Sequence, residues 1–438
     1  MDSVLAVRVA VVAGSILIAP AARGQDSLEQ RMQAMEKELA DMKSGDILRA
    51  AWKDGLFFEN AKKDVQIRFG ASVQLDGFWG GGDDDTIAGI PKVGTPPVPA
   101  RIEDSVGFRR ARLYASGTVR EHVEFKLTFD FADSGGKWKD ADVYVGLVKI
   151  DPLPNVRVGH FKEPLGLEMY TSAYEHLFIE RSLPSAFMPG RNVGVMLSEA
   201  FAQDRVGVQL GGFKETSDQG FGAGDGEYAV TARLFGTPWF EEQGRSMLHL
   251  GVAARRAEAP ASAASFSSKP EANLAPIFVQ TGTIASADAT LLLAGEALLV
   301  LGPFALQGEY VKAAVSTDGL GTKDLDFSGW YAQASWSLTG EPRRYRPAEG
   351  TYQAPKPATT FLQGGGLGAW ELALRWSSID LTDHGMGTGD LDDVTVGLNW
   401  YLNANTRVAW NVVHAMLDPT AGSSGNADLF EMRVQFAF

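Results

Sequence analysis

The sequence predicts an all-β fold: a transmembrane antiparallel β-barrel of about 16 strands, with a short helical segment ahead of it. Three observations carry this. From about Arg205 to Phe438, short segments recur that are apolar at every second residue. In Val394–Leu402, residues Val394, Val396, Leu398, Trp400 and Leu402 share one face, and Thr395, Gly397, Asn399 and Tyr401 share the other. The second face is polar and glycine-rich in almost every segment, and aromatics cluster at segment ends. A barrel with lipid outside and water inside requires that pattern; a soluble sandwich does not. Composition agrees, with 49 glycines and 10 tryptophans in 438 residues and a mean hydropathy of −0.09. Barrel strands give half their residues to water, whereas a helical membrane protein needs apolar runs of about 20 residues.

The elements follow in chain order. Residues 1–24 read as an export signal, with an apolar stretch from Val9 to Ala19 behind Arg8 and small residues in Ala22-Arg23-Gly24 before Gln25. Within residues 25–45, Leu28, Met32, Met35, Leu39 and Met42 recur at spacings of 4, 3, 4 and 3 among charges, which is a heptad seam. It is too short to hold alone. It is either a periplasmic coil on an oligomer already joined through its barrels, or a solvated amphipathic helix. The barrel domain is expected over residues 55–438. Val65–Phe69 and Val73–Leu75 open it, Phe108–Val119 and Val123–Phe131 form a hairpin about Arg120–His122, and Val143–Val148 and Val156–Phe161 follow. The series continues with Arg205–Leu210, Tyr228–Phe235, Met247–Arg255, Phe304–Val311, Trp330–Leu338, Trp370–Ser377, Val394–Leu402, Arg407–Val413 and Leu429–Phe438. Leu291–Leu301 joins them, being too short for a membrane helix, broken by Glu296 and ended by Gly302-Pro303.

Asn403–Asn405 is a tight turn of the periplasmic kind. Gly80–Asp104, Ala257–Ala275 and Pro342–Leu367 are long and rich in Gly, Pro, Ala and Ser, as expected of the outer end. Asp83–Asp85 and the group Asp380, Asp383, Asp390, Asp392 and Asp393 lack the spacing of a calcium loop and read as solvated surface. No cofactor or metal is expected. The absence of cysteine excludes disulfides and thiolate metal sites, and a net charge of −14 argues against nucleic acid as a partner. There is no Gly-x-Ser-x-Gly, Walker loop or His-Glu-x-x-His, and the six histidines are scattered, so an enzyme is not expected.

One stretch stands apart: Gly159–Glu168, Thr171-Ser172, Ile179–Pro184 and Pro189–Val195, dense in charges and aromatics. It resembles the third loop of the phosphate-selective porin O and P family. Phe108-Arg109-Arg110-Ala111-Arg112-Leu113-Tyr114 resembles that family's paired-arginine strand. Gly329–Tyr331, Leu338–Glu341, Gly368–Ala373 and Gly397–Asn403 are similar to its C-terminal half. The resemblance implies a 16-stranded trimeric porin of the outer membrane whose third loop folds into the barrel and narrows the pore. It also implies that Arg109 and Arg110 belong to an anion path, and Phe438 is similar to the terminal aromatic that barrel-assembly machinery reads.

Setting the apolar register toward lipid turns Arg110, Arg112, Lys126, Arg157, Arg205, Arg233, Arg255, Arg375, Arg407 and Arg433 inward, and Arg109 outward. The same register turns Glu124, Asp130, Asp142, Glu296, Glu309, Glu371 and Glu431 inward. The wall is therefore either an arginine path for anions or a lattice of ion pairs with weak selectivity. Arg181 and Arg191, on the stretch that resembles the third loop, are the other candidates for the narrowest point; Glu168, Glu175 and Glu180 stand near them, and no dense lysine cluster does. The expected function is a water-filled channel for small anions such as phosphate or polyphosphate. The alternatives are a general, weakly selective porin and an envelope-anchoring barrel that conducts little.

Overall fold

Sixteen strands, each antiparallel to the next, close into one ring in the computed structural model of the chain. It describes residues 30–37, 48–52, 55–92, 101–132, 141–217, 220–224, 226–259, 263–318 and 323–438. The strands are β1 Val65–Gly82, β2 Ser105–Val119, β3 Val123–Asp130, β4 Val143–Leu147, β5 Asn155–Lys162, β6 Arg191–Phe201, β7 Val206–Lys214 and β8 Tyr228–Glu241. The other half of the ring is β9 Ser246–Glu258, β10 Ala287–Leu301, β11 Phe304–Thr317, β12 Leu325–Ser337, β13 Ala369–Asp380, β14 Gly389–Tyr401, β15 Thr406–Pro419 and β16 Gly425–Ala437. β16 pairs with β1 from Ala427 opposite Gly82 to Ala437 opposite Ser72, so the ring has no free edge over that length.

The expected alternation is realised in β14. Asp393, Thr395, Asn399 and Tyr401 are buried inside, while Val396 between them is among the exposed large apolar residues. Leu374, Val412 and Leu306 on neighbouring strands are exposed in the same way, an apolar belt that suits lipid and not water. Trp370 stacks on Trp400 at 5.1 Å and on Trp410 at 6.5 Å near the turn at Asn403–Asn405, as in an aromatic girdle. Leu291–Leu301 is a strand, and Glu296 in it faces inward and is buried.

Three expectations need correction. Arg191–Phe201 is a strand, so the residues from Arg191 to Val195 belong to the wall and not to the loop with which the sequence groups them. Pro342–Leu367 is not at the outer end. It joins the end of β12 to the start of β13, on the side where Asn403–Asn405 turns, and it folds back into the barrel. Its hairpin, Arg344–Arg346 paired with Thr351–Gln353, buries Tyr345 and Tyr352 against Met247, Leu298, Val300 and Ala305 of the inner wall. Third, the inner face is not polar throughout. At the long-loop end of β11 to β16, Val311, Val315, Phe327, Ile379, Leu391, Val413 and Leu429 all point inward. They pack on Leu165, Leu183 and Phe187 of segment 163–190 and on Phe278 and Val279 of segment 259–286. That part of the lumen holds a hydrophobic core, which accounts for the loss of alternation there.

At the short-turn end, a hairpin of Arg49–Trp52 and Leu56–Glu59 precedes the ring. Leu56–Glu59 pairs with Gln66–Phe69 of β1 on the same edge that β16 occupies higher up. At the handover, the Phe438 N–H donates to the Ala71 carbonyl (3.0 Å). The Tyr114 hydroxyl donates to the Phe438 carbonyl (2.8 Å), and a Cβ on Gly70 would lie 2.2 Å from that oxygen. Residues 30–37 are helical and exposed, including Met32 and Met35. The expected export signal and most of the expected heptad seam lie outside the described residues. Among the described residues, no helix is long and apolar enough to cross a membrane, and no group of three or more His, Cys, Asp or Glu is placed to hold a metal ion.

Candidate functional site

The paired arginines both face inward, which simple alternation does not give. Gln74 of β1 pairs with Arg110 and Leu75 pairs with Phe108, so Arg109 is the extra residue of a β-bulge. Phe108 stays outside, exposed, while Arg109 reaches Glu180 through Nε (2.9 Å) and Nη2 (3.3 Å). Arg110 is buried and donates to Gln74 (2.7 Å). Arg112 meets Asp130 at 2.6 Å, both side chains nearly without solvent.

Segment 163–190 leaves β5 and reaches the inward side chains of distant strands. Its short helix, α1, Leu167–Tyr170, starts after Gly166, whose φ of +73° favours a residue without Cβ. Glu309 of β11 accepts from the Leu167 and Glu168 N–H groups (2.8 and 2.7 Å), and the Lys162 ammonium donates to the Met169 and Thr171 carbonyls at the other end (2.7 Å each). Farther along, Arg407 donates to the His176 and Leu177 carbonyls (2.6 and 2.8 Å). Arg433 binds Asp76 (2.6 Å) and Glu180 (2.7 Å).

Most of the arginines expected to line the lumen are thus engaged in holding folded segments. Arg375 bridges Glu168 and Glu271 and lies over Phe178 at 4.2 Å. Arg233 binds Glu296 (2.6 Å) and the Gly350 carbonyl (2.8 Å). Arg255 binds Glu163 (2.9 Å), and Arg205, at the short-turn end, donates to the Phe240 carbonyl (2.9 Å). Sequence reasoning missed Arg343, which pairs with Glu371 (2.8 Å) and donates to the Glu175 carbonyl (3.2 Å). The one signal for it was that Arg343-Arg344 repeats the paired-arginine pattern.

Two basic groups that keep water contact lie on another arc of the wall. Lys126 of β3 keeps 35% of its side-chain surface exposed and Arg157 of β5 keeps 26%, against 0% for Arg233 and Arg375. Lys126 and Arg191 share Asp142, at 2.5 and 2.6 Å. Burial alone would raise the Asp142 carboxyl, yet Arg191 and Lys126 hold it well below the usual carboxylate range. Glu180 follows the same logic: burial raises it, and Arg109, then Arg433, pull it well below. Arg181, partly exposed, acts on the field at His176 together with Lys162 and Arg110.

A family model described as phosphate-selective porin O and P matches residues 100–438. Porin O of Pseudomonas aeruginosa is 24% identical over 372 residues, covering 76% of this chain and 82% of the relative. The anion-selective porin from Comamonas acidovorans superposes with a TM-score of 0.52 at 12% identity, over 85% of this chain and 99% of the other. The outer membrane channel DcaP of Acinetobacter baumannii gives 0.52 at 11% identity, over 87% and 99%. At such identities the two structures speak to fold alone.

Proposed function

The chain belongs to the phosphate-selective porin O and P family and is a porin of the outer membrane, and we propose that its water path prefers small anions such as phosphate. The observation that supports this most directly is that Lys126 of β3 and Arg157 of β5, on either side of β4, keep water contact while Arg233, Arg255, Arg375, Arg407 and Arg433 are buried. An anion within about 4 Å of a cation gains on the order of 4 kcal/mol at an effective dielectric near 20, before desolvation. A few such groups on a narrow path therefore outweigh a net charge of −14 carried over the whole chain, since distant charges are screened beyond about 8–10 Å.

In this reading segment 163–190 is the constriction loop and Arg181 and Arg191 act at the narrowest point. Arg109, Arg110 and Arg112 supply a fixed positive field, and Lys126 and Arg157 take up the anion on the periplasmic side, near Arg205. Arg233, Arg375 and Arg407 serve the wall, anchoring what fills the rest of the barrel. The protein acts as a homotrimer held by barrel contacts, with the N-terminal helical segment adding little, and Phe438 is the residue that barrel-assembly machinery reads. A second reading, a general and weakly selective porin, draws support from the dense pairing of Arg233, Arg343, Arg375 and Arg433 with carboxylates.

Reversal potential in a salt gradient across a planar bilayer separates the two. Replacing Arg181 and Arg191 by glutamate, or Lys126 and Arg157 by glutamate, should move it toward cation selectivity. A wild-type pore that already prefers cations, or variants that leave the potential unchanged, would leave a general porin; negligible conductance would leave an envelope anchor.

A further inference from the structure

We infer that Lys126, Tyr144 and Arg157 form a subsite for planar aromatic carboxylates, a solute class that uses features phosphate cannot; this rests on the anion reading of the same arc. Arg157 is held on several sides. Its guanidinium carbon lies 4.1 Å from the centre of the Tyr144 ring and 5.7 Å from that of Phe161. Its Nε and Nη2 both donate to one oxygen of Glu124, at 3.2 and 3.1 Å. Glu124 can lie flat against the wall because its cross-strand partner is Gly146, where a Cβ would come within 2.7 Å of that carboxylate.

These contacts fix the guanidinium plane and occupy one face and one edge. The side chain nevertheless stays 26% exposed, and in the proposed subsite the solute reaches it over the remaining face and the Nη1 edge. Tyr144 is the direct cross-strand neighbour of Lys126. The result is a flat cation backed by an aromatic ring and in partial contact with water, with an ammonium one strand away from that ring.

A guanidinium both forks onto carboxylates and stacks on aromatic faces. An aryl carboxylate can engage both properties together: its ring completes a sandwich with Tyr144 around Arg157, and its carboxylate meets the Nη1 edge and the Lys126 ammonium. Phosphate, or an aliphatic acid, meets only the charge.

The test uses the full chain in planar bilayers carrying chloride current, with benzoate and cyclohexanecarboxylate added as blockers. The two acids share charge and approximate bulk, and only benzoate has a π face. Benzoate should half-block at a concentration roughly two- to tenfold lower, the range one aromatic pair contributes. Tyr144→Leu and Arg157→Lys should abolish the difference, and Tyr144→Phe should keep it. Each variant is compared with itself, and heat-modifiable gel mobility verifies that its barrel has folded. Equal block of the wild type by the two acids overturns the subsite, as does a difference that survives Tyr144→Leu. A wild-type pore that prefers cations but still separates the two acids removes the anion reading and keeps the subsite.

Discussion

Glu180 is where a single carboxylate organises the most charge. It takes two bonds from the bulged Arg109 and one from Arg433, which Asp76 also holds. Glu180→Gln should cost about 1–3 kcal/mol, because buried cations lose a charged partner, and should show as a lower urea midpoint in detergent micelles. The pH dependence has a definite sign. The folded carboxyl is held well below its usual range by Arg109 and Arg433 against the opposing effect of burial. Its stabilisation is therefore present above the unfolded value of about 4.3 and is lost only as pH falls through the lower folded value. Chloride conductance should accordingly stay level from about pH 7 to about pH 5; a step within that interval would show that the loop is seated by another group.

Strand register is the next level up. Val396→Arg, at the centre of β14, places a charge in lipid and should cost about 2–4 kcal/mol, whereas Thr118→Arg, inward on β2 opposite Glu124, should be accepted. Equal losses in urea-driven unfolding would refute the register. The sequence made this level readable wherever lipid and water divide a strand cleanly, as in Val394–Leu402. It was unreadable where both faces meet apolar matter, as at Leu391, Val413 and Leu417, whose inner neighbours are loops more than a hundred residues away. Asn399 shows the limit within a correct assignment. It faces inward as alternation requires, but it is fully buried and donates to the Leu177 carbonyl (2.9 Å) instead of meeting water. Arg109 could not be read because a bulge is a property of two strands, set by how β1 meets β2. For Pro342–Leu367, composition marks a long loop without telling which end of the barrel it leaves from.

At the scale of the molecule, the lumen is divided: segments 163–190 and 259–286 pack on the inner face of β11 to β16, segment 338–368 packs on β9 to β11, and Lys126 of β3 and Arg157 of β5 keep water contact. Replacing Arg344–Gln353 by a short Gly-Ser turn should raise single-channel conductance, since the hairpin occupies the lumen beside Met247 and Leu298; unchanged conductance would mean that the path never passes it. The seam where β16 meets β1 has a kinetic consequence. The two strands lie more than three hundred positions apart in the chain, a pairing of very high contact order, and such contacts form late and slowly. Until they form, the unfinished sheet has two sticky margins that other chains can join. The slot made by Gly70, Tyr114 and Ala71 ends that interval by gripping Phe438. Gly70→Val fills the slot, so refolding into micelles should stall in a species that aggregates more as protein concentration rises. The hazard for this porin then lies in the time between the first strand and the last.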